Sequence, residues 1–475
     1  MDRRTAAPRL LPALLALAAS AAAAAAAAPP PSGGKPPYVP PDPFKEVQPA
    51  QAPSEPLTTL AKHRAWIRRL IAAIRYERPG ANDAAEHLRA LLEDPDPRVR
   101  SAAVLAWTRR GEPAIAGALD REKDPRVLRT MLRCRWQGEL ERIERGARTL
   151  LKSTVPDERM LGVEIAGALV ADGRATKDLT EEAKKTLSSI ILRSDRETGG
   201  ALSARIAVVT GAPDVHLDWM WRRWLDKHSR TMRVDQGMLA GEGAVAVPCP
   251  VADMDDAAFA RFAGALDELF RKPIDLGVAI DCTASMSGEI AAAQAGVEDL
   301  ARFLDAGCPG TRLAIVGYRD RREEFTVKGW DFTASPQEAR SRLWQLWADG
   351  GGDEPELVQE ALHFAYAKFG WRATAQRVLV LVGDAPPTPG FGGYCVDAAR
   401  AASRAGIVTH VLSARDPDKP GEVKHFPEIA RAGGGRLVRL GEEADLVAEI
   451  AGVTLSDTWH DHIVAVYQRY QLLCR

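Results

Sequence analysis

The chain has 475 residues, 46% of them apolar and 27% charged, with 63 basic side chains against 64 acidic ones. That length exceeds what one hydrophobic core organises, so two or three domains are expected. A net charge of −1 gives no long-range attraction to nucleic acid or anionic lipid, which makes a polyanionic partner a poor expectation.

The first residues read as an export signal. Arg3, Arg4 and Arg9 flank a start that runs into the apolar stretch Leu10–Leu17, and an alanine tract follows to Ala28. A basic start, an apolar centre and small residues before a polar stretch mark a cleaved secretory peptide over 1–28. The alternative is a retained membrane anchor, since the tract nears spanning length. Pro29, Pro30 and Pro31 follow, no cysteine stands there to carry lipid, and cleavage is the expectation. The mature protein is then extracytoplasmic, periplasmic or secreted, with no membrane span after cleavage. Residues 29–56 are rich in Pro, Gly and Ala and read as an extended tether. The six cysteines, Cys134, Cys249, Cys282, Cys308, Cys395 and Cys474, are scattered and lack CxxC spacing. They are expected as core thiols or one or two disulfides, with connectivity not readable.

From 57 to 233 the pattern turns helical. In "DPDPRVRSAAVLAWTRRG", Asp96 stands as an N-cap and Pro97 as the first helical residue, ahead of an apolar stripe through Val99, Ala102, Val104 and Leu105. The opening recurs at Asp124 as "DPRVLRTMLRCRW", and more weakly near Asp157. Capped helices at roughly 30-residue spacing suggest stacked helix pairs, and the Asp-Pro-Arg-Val openings resemble HEAT-like repeats. "WMWRRWLDKHSR" interleaves Trp and Arg, which suits base stacking or a lipid interface. On a helix, however, Leu217, Trp221, Trp224 and Leu225 share a face while Arg222, Arg223 and Asp226 turn away, so a packed amphipathic helix is expected.

A Gly- and Pro-bearing stretch then marks a boundary, and 234–272 is read as linker. Beyond it, apolar strands at Leu276–Ile280, Leu313–Tyr318, Val378–Val382, Ile407–Leu412 and Leu437–Leu440 alternate with helix-length segments. That alternation argues for an α/β doubly wound, mostly parallel sheet over 273–475. Only the polar turn Arg319–Arg322 separates Leu313–Tyr318 from "EEFTVKGW", too little for a crossover helix, so one antiparallel edge strand is expected.

Ligands of doubly wound sheets collect beyond the carboxyl ends of the strands. Three oxygen-rich clusters fall there: "DCTAS" with Asp281, Thr283 and Ser285; "GGGDEPE" with Asp353 and Glu354; and "VLVLVGDAPPT" with Asp384. Hard divalent cations take such oxygens, and Mg2+ keeps several waters besides. Helix capping is the plainer reading of Asp281 and Ser285, and it is compatible with ligation.

Together, Asp281-x-Thr283-x-Ser285-Met286, "GYRD" (Gly317 to Asp320), "GGGDxPE" and the strand-ending Asp384 resemble a von Willebrand factor type A domain, from about Pro273 to the C-terminus. The resemblance implies a metal-ion-dependent adhesion site holding Mg2+, or Mn2+ or Ca2+. Asp281, Thr283 and Ser285 then form its first loop and Asp384 its third-loop acid. The family's second loop usually offers threonine; here Asp353 is the stand-in, with Asp320 and Glu354 as possible rim residues. The implied function is recognition without turnover: an Asp or Glu exposed on a protein partner completes the coordination of the ion. The enzymatic alternative is a haloacid-dehalogenase-type phosphohydrolase using Asp281, but that chemistry needs an acid where the chain has Thr283. A metal-free structural scaffold is the third reading. GxSxG, GxxxxGK[ST] and HExxH are absent from the sequence. His460-Asp461-His462 lies in a helix-like stretch where i and i+2 face apart, and is not expected to ligate.

Overall fold

The computed structural model describes residues 57–78, 84–111, 122, 124–134, 140–171, 173, 175–194, 196–212, 218–234, 249–321, 323–351, 356–416, 423–440 and 445–474. The expected signal (1–28) and tether (29–56) lie outside these residues, as do Asp353 and Glu354.

The repeated Asp-Pro-Arg-Val openings do the same local work twice. Asp96 accepts a hydrogen bond from the Arg98 backbone N–H at 2.9 Å, ahead of the helix Pro97–Arg109. Asp124 accepts from the Arg126 N–H at 2.9 Å, ahead of Pro125–Arg133. Each carboxylate satisfies a donor that the first helical turn leaves free. The weaker echo also starts a helix, Pro156–Ala171, with Asp157 inside the first turn. Val99, Ala102, Val104 and Leu105 are all buried. In the helix Asp218–His228, Trp221 and Leu225 are buried while Arg223 and Asp226 are exposed, as a packed amphipathic helix requires.

The expected linker is more ordered than its composition suggests. Asp255 caps the helix Asp256–Leu269 through the Ala258 N–H at 2.6 Å, and Phe259, Phe262, Ala263 and Leu266 line its buried face. Gly and Pro upstream hid a period that the residues themselves carry.

Six strands follow: β1 (Ile274–Asp281), β2 (Arg312–Tyr318), β3 (Val327–Thr333), β4 (Gln376–Gly383), β5 (Ile407–Ser413) and β6 (Gly434–Arg439). Their order is β3-β2-β1-β4-β5-β6. All pairings are parallel except β2 with the edge strand β3. Alternate residues feed two cores, which is why these strands read as unbroken apolar runs. Val278, Ile280, Val378, Val380 and Val382 face the helices Ser287–Gly307 and Leu446–Leu455. Ala279, Leu379, Leu381 and Val411 face Val358–Lys368, Gly392–Arg404 and Phe426–Ala432.

The first core continues without a break into the amino-terminal helices. The last helix, His460–Cys474, forms the seam. Tyr470 stacks on Trp66 with ring centroids 5.5 Å apart, and Tyr467 meets Phe303 edge-on at 4.9 Å. Arg133 donates to the Leu472 carbonyl. Arg469 pairs with Glu77 at 3.1 Å, both buried, and Arg109 reaches the other Glu77 oxygen at 2.9 Å. Cys134, Cys249, Cys282, Cys308 and Cys395 are free thiols. Among the described residues no helix is long and apolar enough to cross a membrane.

Removing one partner of a buried ion pair leaves the other desolvated and unmatched. Arg469→Met is therefore expected to lower stability by about 2 kcal/mol in urea unfolding, below the roughly 3–5 kcal/mol of a fully orphaned charge because Arg109 remains on Glu77.

Candidate functional site

β1 has β2 on one side and β4 on the other, so the chain's progress across the sheet reverses between β1 and β4. A crevice opens at the carboxyl ends of two such strands. Ile280 pairs in register with Val382, which puts Asp281 beside Gly383 and makes Asp384 the next residue out. Both carboxylates are buried, Asp281 completely and Asp384 to 5% exposure.

After Asp281 the chain turns on its own side chains. The Thr283 N–H and hydroxyl both donate to Asp281 Oδ1, at 2.9 and 2.8 Å, and Thr283 Oγ1 lies 3.3 Å from Ser285 Oγ. A single 3-10 turn, Ala284–Met286, then leads into the helix Ser287–Gly307. Neither that turn nor that helix receives a side-chain cap, so capping does not account for Ser285. The second oxygen of Asp281, Oδ2, is buried with no hydrogen-bond partner. Buried polar atoms are nearly always satisfied, and an exception at a strand end calls for a ligand, ion or catalytic role.

The second loop folds down onto the first. Asp349 N–H donates to the Cys282 carbonyl at 3.2 Å, and Ala284 N–H to the Gly350 carbonyl at 3.4 Å. Gly350 and Gly351 have φ of 73° and 81°, conformations that glycine adopts at no steric cost. A Cβ at Gly351 would stand 2.9 Å from Thr283 Cβ. Glu323, in the β2–β3 turn, accepts from Gly351 N–H at 3.2 Å. Arg319 holds this assembly from beneath. Its buried guanidinium donates to the carbonyls of Cys282 (3.1 Å) and Trp347, and lies over the rings of Phe325 and Trp347 at 4.4 and 5.1 Å. First loop, second loop and β2–β3 turn are thus fixed to one planar cation, which a lysine would not replace.

Of the residues read from the sequence, Asp281, Thr283, Ser285 and Asp384 converge at the crevice. Asp320 is half-buried in the β2–β3 turn, with Oδ1 accepting from the Arg321 N–H.

Besides Arg319, three charged residues escaped sequence reasoning. Arg415 places a guanidinium nitrogen 3.6 Å from Asp384 Oδ2. Glu323 is the second. The third is Glu356, the last letter of "GGGDEPE", 3% exposed and with Oε2 buried and unpartnered. Its backbone is pinned to the third loop: N–H to the Pro386 carbonyl and carbonyl from the Thr388 N–H, both at 3.0 Å. Burial pushes the Asp281 carboxyl up to about 7; the Asp384 charge adds to the rise, while the Thr283 bonds and Arg415 oppose it. Burial also pushes Glu356 up to about 8, reinforced by the charges of Asp281, Asp320, Asp384 and Glu323. Two carboxylates, one of them with an unsatisfied oxygen, and two hydroxyls are chemistry suited to a hard divalent cation. Among the described residues, no three His, Cys, Asp or Glu side chains gather closely enough to hold a metal ion by themselves. The candidate set therefore depends on its hydroxyls and, for Mg2+, on water. His460 does not join it; its Nε2 lies 3.0 Å from Glu449.

A carboxyl held at about 7 in the fold and near 3.8 in the unfolded chain favours folding only while protonated. Its contribution is complete below the unfolded value and is lost as pH rises through 7. Without added cation, Asp281→Asn is expected to melt above the wild type at pH 8, with the gap closing toward pH 4. Gly351→Ala combines a left-handed backbone with a collision against Thr283, and is expected to cost at least about 1–2 kcal/mol in chemical unfolding.

Comparison with family descriptions gives no matching family, and comparison with curated proteins gives no matching relative. Among solved structures, the chain is similar to the conserved hypothetical protein BatB from Bacteroides thetaiotaomicron, with 18% identity over 42% of this chain and 98% of that one, at a TM-score of 0.29. It is also similar to von Willebrand factor type A from Catenulispora acidiphila, again with 18% identity and a TM-score of 0.29, over 38% of this chain and 41% of that one. The chain thus spans well under half the length of that second structure. The fold class rests on the strand order and pairing of the sheet itself: α/β, doubly wound and mostly parallel, with one antiparallel edge strand and a helical region before it.

Proposed function

We propose that the chain is an exported, non-enzymatic recognition protein whose α/β domain binds a protein partner through a divalent cation, Mg2+ or, in its place, Mn2+ or Ca2+. The observation that carries this reading is the buried, unpartnered Oδ2 of Asp281 in the β1–β4 crevice, next to the hydroxyls of Thr283 and Ser285 and the carboxylate of Asp384. An orphaned carboxylate oxygen costs stability in the cation-free fold, and a hard cation removes that cost.

When bound, the cation supplies a Lewis-acidic position for an acidic side chain of the partner. The chain's own groups prepare for it. Thr283 holds Oδ1 of Asp281 and leaves Oδ2 free, and Arg319 keeps the two loops from parting. Arg415, one-third exposed beside Asp384, adds a positive charge that favours an approaching carboxylate. Export follows from the character of residues 1–28, and the near-neutral charge makes nucleic acid an unsuitable partner.

The test is a pull-down of partners with the mature chain, with and without EDTA. Asp281→Ala and chelation are expected to abolish capture of the same partner; capture that survives both removes the ion from the function. Because the cation must displace a proton from Asp281, its affinity should rise with pH up to about 7 and level off above. Calorimetry in buffers of differing ionisation enthalpy reads the released proton directly.

A further inference from the structure

Glu356 has no role in the scheme above, yet it is the other carboxylate near the crevice with a buried, unpartnered oxygen. Its backbone makes the bridge to Pro386–Thr388, and any residue but proline could do that. The side chain lies close enough to feel the charges of Asp281, Asp320, Asp384 and Glu323, in that order, although burial among like charges is costly. An acid kept under those conditions, with an oxygen left unmatched, needs a positive partner. Arg415 is paired with Asp384, so a cation in the crevice is the group available.

We propose that Glu356 belongs to the cation site as an internal carboxylate that acts through the water shell of the ion. This deepens the cation reading and rests on it. A role through water fits the absence, among the described residues, of any three His, Cys, Asp or Glu side chains close enough to hold an ion together. A hydrated divalent cation presents water hydrogens to carboxylates beyond its ligands, and such outer partners orient the shell and tighten the ion. The second loop would then supply Glu356 from the bridge to the third loop, in addition to any group that precedes it.

The experiment is calorimetric titration of the full mature chain with Mg2+ and with Mn2+, alongside melting curves without cation, for wild type, Glu356→Gln, Glu360→Gln and Asp281→Ala. Glutamine keeps the shape of the side chain and removes its charge. The expected result is cation affinity about tenfold weaker or more in Glu356→Gln, with its cation-free melting temperature held or raised and Glu360→Gln matching wild type. Wild-type affinity in Glu356→Gln, while Asp281→Ala binds nothing, overturns the role of Glu356 alone. A lower cation-free melting temperature in Glu356→Gln with unchanged affinity of the folded fraction overturns it in favour of a structural role. A wild type that takes up neither ion, or an Asp281→Ala that binds as wild type does, overturns the cation reading and this assignment with it.

Discussion

A buried carboxyl with one oxygen unmatched, at the carboxyl end of the central strand β1, is the constraint around which the α/β domain is arranged. Asp281 is fully buried, and only one of its oxygens is engaged. Isolated carboxylates are expelled from protein interiors or neutralised. This one is retained where strand order reverses, with Asp384 emerging from the neighbouring strand. The fold therefore holds acids together against their repulsion, and the surrounding loops supply the restraint.

That restraint is mostly backbone. The second loop lies on the first through hydrogen bonds from Asp349 and Ala284, possible because Gly350 and Gly351 carry no side chain to keep them apart. Arg319 ties the same loops through their carbonyls, and its guanidinium lies over the rings of Phe325 and Trp347. Gly383 has the same logic on the third side, since a Cβ there would meet the Tyr318 hydroxyl at 2.5 Å. Polar side chains are thus placed by groups that touch no ligand, which is how a site on loops acquires the rigidity of the sheet beneath it.

The sheet was readable because its strands are buried on both faces and so appear as uninterrupted apolar runs, and because the eight residues between β2 and β3 are too few for a crossover. Asp281 and Asp384 were readable because each ends such a run. Glu356 was not, since its burial depends on a backbone bridge to Pro386–Thr388 across a loop, and pairing of that kind leaves no period in the sequence. Arg319 was passed over for a different reason: inside "GYRD" it looks like a surface turn residue, while its partners are main-chain carbonyls that any sequence supplies. The helix Asp256–Leu269 did carry a cap and an apolar stripe, but the glycines and prolines before it masked them. The docking of His460–Cys474 on the first helices joins residues as far apart as Glu77 and Arg469, and no local pattern encodes such a match.

That last contact has a consequence for biosynthesis. The helical region comes off the ribosome early, but the surface that completes its core arrives only with the helix His460–Cys474, where Arg469 follows Glu77 by 392 residues. Until then Trp66 and Glu77 lack their partners Tyr470 and Arg469. Closing a loop of this length is slow compared with forming the helices themselves. The nascent amino-terminal helices must accordingly wait with Trp66 and Glu77 uncovered on that side, and their core closes only once the helix His460–Cys474 has been made.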